Sequence, residues 1–169
     1  KKDRPKHVDG WTLLDKYESN YAAVYQNREG DVCISVRGTK LNLKDIGKDM
    51  QILAANLAEN SDVDRIFREV LHDFPTQNKY ATAHSLGSVL VKHGMSDLGE
   101  DGRQFKAFLF NCGSSPFFNT NAWKSYLEEY NPMIFANKGD PINAGLLESL
   151  PKDYANIVYN PEVSAAIWK

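Results

Sequence analysis

The sequence is short of cysteine, of excess charge of either sign, and of long apolar runs. Two of its 169 residues are cysteines. Cys33 and Cys112 sit in separate apolar runs, with neither a CxxC nor metal-ligand spacing, so both read as small buried residues rather than as ligands. Lysine and arginine number 20 against 22 acidic residues, a formal net charge of −2, which leaves no electrostatic case for a nucleic-acid partner. The one basic cluster, KKDRPK at the start, reads as a short solvated arm. No apolar stretch approaches the roughly 20 residues that cross a bilayer, so no transmembrane segment is expected. No signal-peptide pattern is visible, and the compartment stays open. Internal repeats and low-complexity linkers are also missing.

What is present is enough for one core. The chain is 42% hydrophobic and 25% charged, ordinary proportions for a globular domain. We expect residues 1–20 to form an N-terminal arm and 21–169 a single domain. Strand-like and helix-like segments alternate, which predicts an α/β fold with a mostly parallel central sheet and helices on both faces. YAAVYQ (21–26) and DVCISVRG (31–38) flank the turn-rich NREG and read as a hairpin. A helix is expected over 41–57. The clearest helix is 62–74, where Val63, Ile66, Phe67, Val70, Leu71 and Phe74 share one face; Ser61 with Asp64 three residues later marks its start. KYATA (79–83), FKAFLFN (105–111), PMIFAN (132–137) and ANIVYN (155–160) read as strands. The helix after the first of these is expected to end near Gly94. Thr120 is placed to cap another, with Trp123, Tyr126, Leu127 and Tyr130 on one face. Sites in such sheets lie at the carboxyl ends of strands, where polar loops follow residues 83, 111 and 137.

The first of those loops carries the sharpest signal. In AHSLG (83–87), Ala83 and Gly87 bracket Ser85 at −2 and +2. A nucleophile on a strand-to-helix elbow needs small neighbours there, because the backbone turns sharply and adjacent chains come close. The turn would lift the Ser85 hydroxyl out of the sheet and put the Leu86 N–H beside it, at a helix N-terminus where negative charge is favoured. The alternative is a serine that merely caps the following helix. In VRGTK (36–40), Thr39 offers a backbone N–H and a hydroxyl for the other half of an oxyanion hole, or stands in an ordinary turn. In NKGDPI, Asp140 precedes a proline; its carboxylate either orients a histidine or forms a turn.

Taken in order, AVYQN…GDVCISVRGT, AHSLG, GSSPFFN and NKGDPI resemble the class 3 (fungal-type) lipases of the α/β-hydrolase fold. The resemblance covers about residues 20–145. It implies Ser85 as nucleophile, Asp140 as the triad acid, Thr39 and Leu86 around the oxyanion, Ala83, His84 and Gly87 as the elbow, and Gly113–Pro116 as a loop beside it. The chain departs from the family pattern at Ala83 and Ser88, where glycines are usual, and after Thr39, where Asp45–Ile46 and Asp49 occur without a tryptophan. The 39–85 spacing leaves no room for a long lid, so a compact, lidless form is expected. The implied activity is hydrolysis of a carboxylic ester, lipid or acylglycerol-like, with no metal or other cofactor.

The base is the difficulty. The triad order in this fold is serine, acid, histidine, yet the histidines are His7, His72, His84 and His93, all before Asp140. His93 lies about 12 Å along the helix from Ser85, and His84 should point away from it. Either a C-terminal segment carrying the histidine is absent from these residues, or the protein is an inactive hydrolase fold used for binding or assembly with a protein partner. A serine peptidase would share the chemistry; the motif order speaks against it.

Overall fold

The computed structural model describes residues 4–38, 59, 61–112, 120–137 and 150–160. Among the described residues, eight strands form one sheet in sequence order: β1 (His7–Val8), β2 (Trp11–Leu13), β3 (Ala22–Gln26), β4 (Val32–Val36), β5 (Lys79–His84), β6 (Phe105–Phe110), β7 (Met133–Asn137) and β8 (Ile157–Asn160). The first three pairings are antiparallel and the last four, from β4 to β8, are parallel. The sheet is thus mixed: described helices cross between β4 and β5, β5 and β6, and β6 and β7, while short connections join the antiparallel strands. Residues 7–13, read from the sequence as part of an arm, pair onto the sheet, with Leu13 opposite Tyr25. Their apolar spacing was too short to register as a strand signal. The hairpin of β3 and β4 closes on Asn27, whose side-chain oxygen accepts from Asp31 N–H at 2.8 Å, while Gly30 takes φ +87°.

Among the described residues, three α-helices pack on one face of the sheet: α1 (Val63–Asp73), α2 (Gly87–Asp97) and α3 (Thr120–Tyr130). Each crosses between neighbouring parallel strands laid down in one direction. Right-handed crossovers therefore put them on the same side. The helix expected over 41–57 lies outside the described residues. In α1, Val63, Ile66, Phe67 and Val70 are buried, and the Phe67 ring meets Phe105 of β6 at 4.9 Å between centroids. The residue before α1 is Asp62, without a side-chain cap bond. Ser61 does not cap it; Asp62 accepts instead from the Ser19 hydroxyl at 2.5 Å. The helix start suggested by Ser61 and Asp64 is thus shifted by one residue, and the Asp62 carboxylate is turned to Ser19 rather than to the first-turn amides.

Helix α2 runs through Gly94 to Asp97 rather than ending there. The glycine is a packing residue: a Cβ on it would stand 2.6 Å from the Phe67 ring. Helix α3 buries Trp123, Tyr126 and Leu127, and the Tyr126 hydroxyl donates to Met95 Sδ at 3.3 Å. The core between helices and sheet is made by alternate strand residues, among them Ile34, Ala81, Ala107, Leu109 and Ile134. No described helix is long and apolar enough to cross a membrane.

Candidate functional site

Strand β5 ends at the elbow. Its parallel register with β4 and β6 brings the carboxyl ends of β4 to β7 to a common edge, so the chain leaving residues 36, 84, 110 and 137 emerges there. Ser85 follows the last residue of β5 and takes φ +54°. A non-glycine residue in the left-handed region is uncommon and strained, and persists only where its surroundings hold it. Here they do. Ser85 N–H donates to Phe110 O at 3.0 Å, the last rung between β5 and β6, and Ser85 O accepts from Ser88 N–H at 3.1 Å, the first turn of α2. One residue therefore ends the strand ladder and starts the helix. Ser85 is 6% exposed and Leu86 is buried.

The residue capping α2 is Leu86, and no side chain caps the helix. A serine kept merely as a cap would bond the first-turn amides, and Ser85 does not.

Two glycines explain why the turn is so tight. A Cβ on Gly87 would lie 2.9 Å from both Val36 O and Arg37 O. A Cβ on Gly38 would lie 2.6 Å from His84 O and 3.4 Å from Ser85 Cβ. The end of β4 and the elbow are thus in backbone contact, which only glycine at 38 and 87 permits. Ala83, the other small residue, is buried in the core cluster. The sequence singled out Gly87, but the glycine of Arg-Gly-Thr stood only as a turn residue. Its role in admitting the elbow depends on contact between chains some 47 positions apart.

Thr39, Gly113–Pro116 and Asp140 lie outside the described residues. Chain leading toward two of them is described. Gly38 abuts the elbow. Asn111 takes φ +45° and donates its N–H to Phe135 O at 2.8 Å. Asparagine tolerates this conformation better than most residues.

All four histidines are placed, none at the Ser85 hydroxyl. His7 meets Thr12 at 3.4 Å on the β1–β2 ribbon. His72, exposed, meets Asp73 at 3.3 Å. His93 crosses from α2 to Asp64 of α1 at 2.9 Å. His84 stands on the sheet face opposite the helices, in one cross-strand row with Phe110, Phe135 and Val158. Phe110 and Phe135 stack at 4.6 Å. This row and Asn111 line an open cleft of about 430 Å³. Behind the elbow, Cys112 is wholly buried, and burial pushes its thiol up to about 12. Cys33 is likewise pushed up, to about 11, by burial. In both, burial disfavours the thiolate, the nucleophilic form.

No protein-family model and no curated protein matches this chain. Among solved structures, the crystal structure of a fungal lipase aligns with a TM-score of 0.55 at 14% identity, over 85% of this chain and 60% of the lipase chain. A fungal lipase–inhibitor complex, presented as a model for interfacial activation, aligns with a TM-score of 0.47 at 12% identity, over 76% of this chain and 57% of its own. The present chain therefore spans about three-fifths of the first lipase's length. At such low identity the likeness is one of fold, and it agrees with the motif resemblance: the chain has an α/β-hydrolase-like fold of the fungal-lipase type.

Proposed function

We propose that the protein is a serine hydrolase of carboxylic esters, acting on a lipid or acylglycerol-like substrate with Ser85 as nucleophile. The observation that carries this reading is the left-handed backbone of Ser85, at φ +54°, wedged between the last strand bond and the first helix turn. Ser85 Oγ attacks the ester carbonyl carbon, and the carbonyl oxygen becomes an oxyanion. Leu86 N–H, at the N-terminus of α2, donates to that oxygen, and Thr39 supplies the second donor. A histidine takes the serine proton and returns it to the leaving alkoxide, with Asp140 holding its ring. Water then cleaves the acyl-enzyme by the same route. No metal or cofactor enters. We assign the histidine to a part of the protein outside these 169 residues, because the four within them are otherwise placed. The fungal-lipase likeness of the fold supports the ester class.

That placement of the histidines also favours a second reading, an inactive hydrolase fold kept for binding or assembly. A fluorophosphonate probe separates the two, since it reacts only with an activated serine. It is applied to the 169-residue form and to the longest form the gene encodes, each beside Ser85→Ala. Labelling of the longer form that disappears in Ser85→Ala supports the hydrolase. No Ser85-dependent labelling of either form overturns it.

A further inference from the structure

Ser88 is fully buried, and a buried hydroxyl needs a partner. It donates to the carbonyl of Ser85, the same oxygen that accepts from the Ser88 backbone N–H at 3.1 Å. The hydroxyl also faces the Cys112 thiol, which closes that side with a buried, neutral group. The oxygen held twice over belongs to the peptide between Ser85 and Leu86. That peptide is planar, so its C=O and N–H point in opposite directions. Drawing the carbonyl along the axis of α2 aims the Leu86 N–H out of the helix N-terminus, toward the sheet's carboxyl edge. A donor to a developing oxyanion is most effective when its direction is fixed before the charge appears. Ser85, strained at φ +54°, is the place where that peptide plane most needs holding.

We propose that Ser88 is a positioning residue for ester hydrolysis at Ser85: its hydroxyl clamps the Ser85 carbonyl and thereby fixes the direction of the Leu86 N–H that receives the oxyanion. The inference rests on the hydrolase reading above. A helical serine bonding back to the preceding turn is otherwise a local habit with little consequence, and the two cases differ in what the bond controls.

The test is saturation kinetics of fluorophosphonate labelling on the longest form the gene encodes, comparing wild type, Ser88→Ala, Ser88→Gly and Ser85→Ala, with the melting temperature of each. Both Ser88 variants should lose about five- to tenfold in the limiting labelling rate, the worth of one hydrogen bond, at unchanged half-saturating probe concentration. Glycine weakens a helix more than alanine does, so a merely structural role would make the rate follow melting temperature and separate the two variants. Equal losses in Ala and Gly despite different melting temperatures support the clamp. An unchanged rate, or a rate that tracks stability, overturns it while leaving the hydrolase reading intact. Wild type that shows no Ser85-dependent labelling overturns both.

Discussion

Gly38 and Gly87 each hold open the space in which β4 and the elbow meet, and neither has conformational freedom as its reason for being glycine: their φ values are not positive. The restriction is steric. Gly38→Ala would press a Cβ to 2.6 Å from His84 O, a backbone atom that can yield only by moving Ser85. We expect Gly38→Ala to cost about 1–3 kcal/mol of stability, as overpacking does, measured by urea denaturation, and to slow Ser85 labelling as well. The strand-to-helix turn at Ser85 was legible from five residues of sequence. The φ of Ser85 was not, because left-handed serine is a consequence of the bonds to Phe110 and Ser88 rather than of serine's own preference.

At the scale of elements, α1 and α2 show how context reverses a propensity. Alanine normally stabilises a helix interior over glycine by about 1 kcal/mol. In α2, Gly94→Ala should do the opposite and cost about 1–3 kcal/mol, since the new Cβ meets the fully buried Phe67 ring. Thermal unfolding of Gly94→Ala beside a solvent-exposed control would show the sign directly. The amphipathic stripe of α1 was readable from its spacing, but the continuation of α2 through a glycine was not. A glycine near a helix end reads equally as a stop, and only the neighbouring ring distinguishes the two.

The other end of α1 supplies a pH dependence. Asp73 accepts from Lys16 at 2.7 Å and from the Tyr17 hydroxyl at 2.6 Å, bonds that hold its carboxyl well below the ordinary carboxylate range. Burial first, and then the bond to Asp73, push the Tyr17 phenol up. A carboxylate with a depressed folded-state value contributes stability above the unfolded-chain value, about 3.9, and loses it progressively as pH falls below that. The stability gap between wild type and Asp73→Asn should therefore be full at pH 7 and narrow below about pH 4, as read by denaturant midpoints across that range. Salt will shrink it at every pH, because the Lys16 partner is exposed.

For the whole molecule, the decisive quantity is the base. Removing a triad histidine costs on the order of 10⁶ in turnover in the subtilisin case, leaving about 10³–10⁴ over water. The 169-residue form should thus hydrolyse a soluble p-nitrophenyl ester at no more than a trace rate, and the longest encoded form should exceed it by several orders of magnitude. Equal rates in the two forms would show that the base is not supplied from outside these residues.

The sequence by itself determined the alternation of strands and helices, the hairpin, the apolar stripe of α1 and the strand–serine–helix elbow, because each is a local pattern of period, turn chemistry or small residues. Tertiary structure alone decided the rest. It added residues 7–13 to the sheet, made the sheet mixed, carried α2 past Gly94, put His93 on Asp64, and made Gly38 a neighbour of Ser85. These outcomes share one physical cause: each is set by contact or sheet pairing with another part of the chain, which no local pattern encodes.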